Sequence, residues 1–415
     1  MQVFTSRTSI DVCRSQLDLT KLTNTNCIQL GKEALLIADE SDWNQILNSA
    51  GRSGISLQRN SRPTEKDNLY LVVQKGRLFQ QEHPEVPIVI DKGRFLVVDL
   101  TPDLAESYQK GDEPCYGIKP LEENMIVFRE QPKAALRITP QVEITDLLAQ
   151  LSRSSLSANL TQLVSWSTRY STSSFYRLAA DWSKEQLEAI GYDTRLETVA
   201  VGSSTSQNVI ADRPGNHSGT KNLILAIAHL DSINIPGGVE AIAPGADDNG
   251  SGCAGLLEIA KVFKTYQNKH DLRFILLGGE EQGLFGSKQY VAGLDPTEQA
   301  RIKAVLNMDM IGSLNTTTPT VLLEGAPISQ AIIEALSEAA ATYTELTVQI
   351  SLNPFASDHV SFLDREIAAV LTIEGADSAN NNIHSANDTL DRINYDLMLE
   401  ILRMNVAFIA NAVGL

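Results

Sequence analysis

Two histidines and a set of acids stand at the ends of hydrophobic segments in the second half of this chain. Ala228-His229-Leu230-Asp231-Ser232 closes an apolar run that begins at Leu223. A glycine-rich turn follows, Pro244-Gly245-Ala246-Asp247-Asp248-Asn249-Gly250-Ser251-Gly252. Gly278-Gly279-Glu280-Glu281-Gln282-Gly283 offers an adjacent acid pair, Asn307-Met308-Asp309-Met310-Ile311-Gly312 a further aspartate, and Asn382-Ile383-His384-Ser385 the second histidine. Imidazole mixed with carboxylate oxygen is a donor set suited to zinc. Any one of these clusters alone reads as a solvated turn. Five of them in order, most following a hydrophobic segment and including two of the chain's six histidines, read as a metal site. The glycines beside Glu280 and Glu281 leave room for other groups to come close.

The elements that must position these residues alternate between strand and helix. Strands are expected at Arg195 to Ala200, Gln207 to Ala211, Leu223 to His229, Leu272 to Leu277, Ala304 to Asp309, Thr320 to Glu324 and Ala368 to Ile373. Helices are expected at Gly252 to Tyr266, Ser287 to Ala292, Ser329 to Tyr343 and Asn394 to Val413, after an entry helix at Val142 to Leu151 and a helical region from Ser157 to Ile190 that is interrupted near Ser171-Thr172-Ser173-Ser174. Gly191 suits the stop of that region. The pattern is an α/β fold with a mostly parallel central sheet flanked by helices. Such sheets bind ligands at the carboxyl ends of their strands, where the polar clusters lie.

Residues 1–140 read differently, as a small N-terminal α+β accessory domain. It has strands at Glu33 to Ala38, Asn68 to Val73, Ile88 to Ile90 and Arg94 to Leu100, and a helix at Ser41 to Ala50. The polar connection from Gln131 to Pro140 marks the boundary, and residues 141–415 form the domain that carries the clusters. His83, in a polar stretch between Glu82 and Pro84, is expected to be a solvated loop histidine, as are His217 and His270.

With 415 residues and 43% hydrophobic composition the chain can bury a sizeable core. Its formal net charge of -17 excludes the basic footprint of a nucleic-acid binder and argues against anionic membrane surfaces. No apolar run approaches the ~20 residues of a membrane-spanning helix. Cys13, Cys27, Cys115 and Cys253 lack CxxC spacing, which removes a structural zinc cluster from consideration. Cys13 and Cys27 could form a disulfide, and Cys253 reads as a buried thiol on a helix.

Taken together and in order, the five motifs resemble metallopeptidase family 28, the co-catalytic dizinc aminopeptidases of the bacterial leucyl aminopeptidase type. The resemblance runs from about Gln141 to the C-terminus and includes the entry Ser167-Thr168-Arg169-Tyr170. It implies two zinc ions: His229 and Asp309 on one, Glu281 and His384 on the other, and Asp248 bridging them. By the same pattern Glu280 is the catalytic carboxylate, a general base that takes a proton from the attacking water and returns it to the leaving amine. Asp231 lies two residues beyond His229 on an extended segment, hence on the same side, and is expected to accept the far imidazole N–H.

The implied reaction is removal of N-terminal residues, leucine-like by preference, from peptides by hydroxide generated between the two zinc ions. Ile383 departs from members with an aromatic residue before the last histidine, which changes one wall of the cleft. Asp358 and His359, in Ala356-Ser357-Asp358-His359, match a family signature near the cleft and are read as pocket, supporting or buried structural groups. A carboxypeptidase or aminoacylase on the same scaffold would need a cationic partner for the substrate carboxylate, for which Arg365 and Arg392 are the candidates. Glutaminyl cyclases use the scaffold with a single zinc, and inactive binding relatives lose ligands that are all kept here. Family habit suggests a secreted or periplasmic protein, although the first seven residues carry no apolar signal-peptide core. The N-terminal domain is expected to narrow access to the site.

Overall fold

In the computed structural model, residues 1–17, 25–60, 64–108, 116–132, 139–238 and 241–414 are described. The chain divides into two compact units, Met1–Glu130 with Gln349–Phe355, and Gln131–Val348 with Ala356–Leu415. The connection 133–138 and Cys115 lie outside the described residues. No helix among the described residues is long and apolar enough to cross a membrane.

The second unit is built on Leu223–His229, a strand buried along its whole length. An unbroken apolar run of this kind is what a strand covered on both faces requires. Its neighbours Asp271–Leu277 and Ile302–Met308 are parallel to it, and Ala369–Glu374 is parallel to Ile302–Met308. Three further strands, Asp193–Val201, Ser204–Arg213 and Thr320–Gly325, join antiparallel. The sheet therefore has a parallel centre with antiparallel strands towards its edges, flanked by helices that include Ser174–Ile190, Gly252–Phe263, Gln330–Tyr343 and Tyr395–Val413. Leu225, Ile227, Ile275, Val305 and Phe362 form part of one core, each fully buried. Burial of one such side chain contributes about 1.5–3 kcal/mol.

Register does the positioning. His229 pairs with Leu277, so the glycine-rich turn bearing Glu280 and Glu281 begins beside it. Ile227 pairs with Asn307, so two residues further on His229 and Asp309 stand side by side.

The helical region Ser157 to Ile190 is interrupted as expected, into Arg153–Leu163 and Ser174–Ile190, with the first helix starting earlier and the break opening at 164, and the second ends at a left-handed Gly191. The interval between them is irregular and contains Arg169. The strand Thr347–Ser351 was not expected, because its alternation of polar and apolar residues is only five residues long.

In the first unit, the strands Ile126–Gln131, Thr25–Leu30, Glu33–Ala38, Gln2–Ser6 and Leu57–Arg59 lie in that order. The helix Glu40–Ser53 packs Trp43 and Ile46 into a core with Phe4, Cys13, Cys27 and Leu36. Both cysteines are free buried thiols, not a disulfide. A second, four-stranded sheet, Ile88–Lys92, Phe95–Asp99, Leu69–Gln74 and Tyr116–Pro120, carries its own core around Val72, Phe79, Leu96 and Tyr116.

His83 is not a solvated loop residue. Its Nε2 lies 2.8 Å from the Tyr116 hydroxyl and its ring stacks on Tyr108 at 3.8 Å. The late segment Gln349–Phe355 belongs to this unit through polar contacts: the Ser351 hydroxyl and Asn353 amide donate to the Val127 carbonyl, and Lys119 donates to Asn353.

Candidate metal centre

The side chains that converge at the strand ends are His229, Asp248, Glu280, Glu281, Asp309 and His384. Among the described residues they form three donor groups, each with its atoms within 4.8 Å of one another: His229 with Asp248 and Asp309, Asp248 with Glu281 and His384, and His229 with Glu280 and Glu281. Asp248 is the member shared by the first two. His229 Nε2 lies 3.2 Å from Asp248 Oδ1 and 3.2 Å from Asp309 Oδ1. On the other side, His384 Nε2 lies 3.0 Å from Asp248 Oδ2 and 2.9 Å from Glu281 Oε2.

These separations fit a cation. Four donors placed tetrahedrally at zinc distances stand about 3.3 Å apart. The alternative, a hydrogen-bonded network, is poorly satisfied: both oxygens of Asp248, Oε1 of Glu281 and Nε2 of His384 are buried without a hydrogen-bond partner. The His229 tautomer points the same way. Nδ1 faces the main-chain carbonyl of Asp231 at 3.2 Å, and a carbonyl only accepts, so Nδ1 carries a proton and Nε2 is the atom presented to two carboxylates.

Electrostatics confirm how acidic this corner is. Burial disfavours an imidazolium at His229, but the charges of Asp309 and Glu280, reinforced by the nearby Asp231 and Asp248 carboxylates, outweigh it and raise its pKa well above the usual 6.5. At His384 burial is again overcome, here by Glu281 and Asp248, and the pKa is also well raised. Asp248 is held well below the ordinary carboxylate value: its burial acts upward, and its contacts with His229 and His384 win.

Each neighbour of a converging acid has its own engagement. Asp247, the other member of its pair, accepts from the Gly312 N–H and the Asn380 amide, both at 2.8 Å, and points away from the donor groups. Asp309 is oriented by the Ser357 hydroxyl, which donates to Oδ2 at 2.7 Å.

Asp231 departs from expectation. Its carboxylate accepts the backbone N–H of Glu280 at 3.2 Å and of Glu281 at 3.1 Å, while its Oδ1 is 3.6 Å from His229 Nδ1, too long for a hydrogen bond. It fixes the acid pair directly and meets the imidazole through its carbonyl. His384 adopts a left-handed backbone, φ 54°, as does Met310 beside Asp309, φ 52°. Non-glycine residues adopt this conformation only where surrounding structure enforces it.

With this geometry in place the chain can be compared with known proteins. A family model, Peptidase family M28, matches residues 208–409. Leucine aminopeptidase 1 of Chaetomium globosum is 30% identical over 304 residues, covering 68% of this chain and 71% of that protein. The chain belongs to peptidase family M28. It is an enzyme, a metallopeptidase of the aminopeptidase type. A probable leucine aminopeptidase of Trichophyton verrucosum is 29% identical over 277 residues, 64% of this chain and 74% of its own length. The crystal structure of the Legionella pneumophila LapA aminopeptidase superposes with a TM-score of 0.57 at 21% identity, over 82% of this chain and 96% of that one, which establishes a shared fold.

Two residues of the peptidase that sequence reasoning passed over stand directly behind the donor groups. Arg169, fully buried, donates to the carbonyls of Leu230 (2.8 Å), Leu163 (3.2 Å), Pro244 (2.5 Å) and Gly245 (2.9 Å). Asp388 accepts from the backbone of Asp247 and Asp248, and burial, reinforced by Asp247, pushes its pKa up to about 8. A charged residue in the entry segment and an acid four residues after a histidine were the available signals.

Asp358 and His359 are fully buried, the first with its pKa raised to about 7 by burial, the second with Nε2 3.6 Å from Glu324. His217 is exposed and His270 half-buried. Arg365 and Arg392 are exposed.

Proposed function

We propose that this peptidase removes N-terminal amino acids, hydrophobic and leucine-like by preference, from peptides, with two zinc ions as its metal. His229, Asp248 and Asp309 would hold one ion, and Asp248, Glu281 and His384 the other. The carrying observation is Asp248: its two oxygens face different histidines, at 3.2 and 3.0 Å, and neither has a hydrogen-bond donor. A carboxylate buried so must meet positive charge, and two donor triads sharing it match two cations better than one. Zinc, when bound, lowers the pKa of a coordinated water towards ~7 and polarises the scissile carbonyl.

The chain's own residues supply the rest. Glu280 belongs to neither triad that shares Asp248 but lies within reach of His229. It is assigned the proton transfer: it takes the proton from the attacking water and returns it to the amine as the C–N bond breaks. Asp231 holds the Glu280 and Glu281 backbone so that one acid faces the reaction and the other the metal. His229 is kept in one tautomer by the Asp231 carbonyl.

An N-terminal cut suits this charge pattern better than a C-terminal one. Carboxylates converge here, Glu280 among them outside the triads that share Asp248, and they would attract a free α-ammonium, whereas a terminal carboxylate needs a cationic anchor. Arg169 is buried with its donors on main-chain carbonyls, and Arg365 and Arg392 are exposed. Two relatives named leucine aminopeptidase support the leucine preference.

The test is zinc content together with activity on the full chain. Expected are about two zinc per chain, hydrolysis of leucine p-nitroanilide that disappears on chelation and returns with zinc, and no hydrolysis of the N-acetylated analogue. Undiminished activity after chelation, or cleavage of the acetylated substrate at a comparable rate, contradicts the assignment.

A further inference from the structure

Asp388 does more than fill a buried position. Three successive backbone N–H groups of the turn that carries Asp248 end on this one residue. Ala246 donates to its main-chain carbonyl at 3.2 Å, Asp247 to Oδ1 at 2.9 Å and Asp248 to Oδ2 at 2.9 Å. The carbonyls just before them, of Pro244 and Gly245, are taken by the Arg169 guanidinium. Gly245 is left-handed, φ 54°, and a Cβ there would collide with the Asp248 carbonyl and approach Arg169. The turn is thus gripped by a carboxyl group on its amides and a guanidinium on its carbonyls, with no slack at its entry.

We infer that Asp388 is a positioning residue that sets the shared carboxylate of Asp248 in place for both metal triads. This rests on the dizinc reading above and extends it to a residue that supplies no donor atom and meets Asp248 only through the backbone. The logic is geometric. Asp248 must present one oxygen to His229 and the other to His384, and its side chain has few torsions with which to correct a displaced backbone. Fixing its own N–H and the two preceding ones determines where Cα sits and which way Cβ points.

Asp388 also lies four residues beyond His384, so one segment both delivers a triad member and holds the backbone of the acid that member faces. The other half of the site uses the same device: Asp231, two residues beyond His229, holds the amides of Glu280 and Glu281. Each histidine segment therefore carries a carboxylate that fixes the opposing acid pair.

The decisive variant is Asp388→Asn, which keeps the shape but puts an amide NH₂ against one of the two backbone N–H groups. Zinc affinity, measured by competition with a chelating indicator, should weaken by about 10–100-fold, the range for groups that orient metal ligands. Excess zinc should restore most of kcat with KM for leucine p-nitroanilide little changed, a recovery that a generally loosened fold would not show. Hydrogen exchange at the amides of residues 246–248 should quicken, while Asp391→Asn, an exposed acid three residues on, should leave affinity and exchange as they are.

Unchanged zinc affinity in Asp388→Asn, or unchanged exchange at residues 246–248, overturns the inference. Should the unaltered protein bind no zinc, the dizinc reading fails on its own, and exchange still decides whether Asp388 grips the turn. Should Asp388→Asn not fold, exchange in the unaltered chain decides: amides 246–248 exchanging at the rate of an unstructured peptide would refute the grip.

Discussion

Replacing each member of the acid pair by its amide separates proton transfer from metal holding. Glu280→Gln preserves size, and the backbone N–H of residue 280 stays on Asp231, so the turn is undisturbed. Residue 280 stands outside both triads that share Asp248, so zinc content should not change. What is lost is a base. General acid–base catalysis is worth about 10²–10⁴ in rate, so kcat should fall by that factor, about 3–5 kcal/mol at 1.36 kcal/mol per decade, with KM nearly constant.

Glu281→Gln should behave in the opposite way. Its Oε2 lies 2.9 Å from His384 Nε2 and its Oε1 has no hydrogen-bond partner, so both oxygens are available to a cation and a neutral amide forfeits that charge. Loss of affinity at that triad should exceed the ~10–100-fold cost of altering an orienting group, and zinc content should fall from about two to about one. Steady-state kinetics with leucine p-nitroanilide and zinc analysis of the same preparations read both outcomes. Glu280→Gln retaining more than about a tenth of kcat, or losing zinc instead of turnover, would refute the division of labour.

Stability should depend on pH in a way that zinc reverses. His229 and His384 have folded pKa values well above 6.5, and Asp388 is raised from 3.8 to about 8. Groups raised on folding stabilise the metal-free protein below their unfolded values and lose that contribution as pH climbs through the folded ones, so its Tm should drop between about pH 6 and 9. Zinc requires deprotonated imidazoles, so the zinc-induced rise in Tm should grow over the same range. A metal-free Tm that increases from pH 6 to 9 would contradict this. Removing residues 1–130 should lower solubility and Tm, because Ser351 and Asn353 lose their acceptor at Val127; thermal melts of the truncated chain check it.

Much of the peptidase unit was legible because its central strands are buried on both faces, and double burial writes itself into the sequence as unbroken apolar runs such as Leu223 to Ala228. The clusters after those runs converge because sheet register aligns strand ends, a step that the run boundaries already implied. The antiparallel direction of the outer strands was not legible, although the strands themselves were, since apolar content says nothing of direction. The engagement of Asp231 was misread for a related reason. Period-two alternation placed it beside His229 correctly in space, but the competing donors, two backbone N–H groups from a turn 49 and 50 residues away, have no side-chain signature. Arg169 and Asp388 were hidden likewise, because their partners are main-chain atoms common to every residue type. In the first unit His83 looked solvated from its polar neighbours, and only the fold brings Tyr108 and Tyr116 to it.

These hidden contacts explain how so acidic a corner can exist inside a folded core. The carboxylates gathered here, Asp248, Glu280, Glu281 and Asp309, repel one another, and ionised carboxylates buried without partners cost several kcal/mol each. Left to relax, the turns at 245–249 and 278–283 would swing their acids towards water. Backbone hydrogen bonds prevent that: Arg169 and Asp388 hold one turn, Asp231 the other. The side-chain oxygens of Asp248 are then left facing only the two imidazoles, and a buried carboxylate so placed attracts positive charge. Protons supply it in the metal-free protein, which is why both histidines are driven to hold theirs, and metal ions compete for the same place. Fold stability, metal affinity and pH dependence are therefore one coupled quantity in this peptidase, and a substitution behind the site should move all three together.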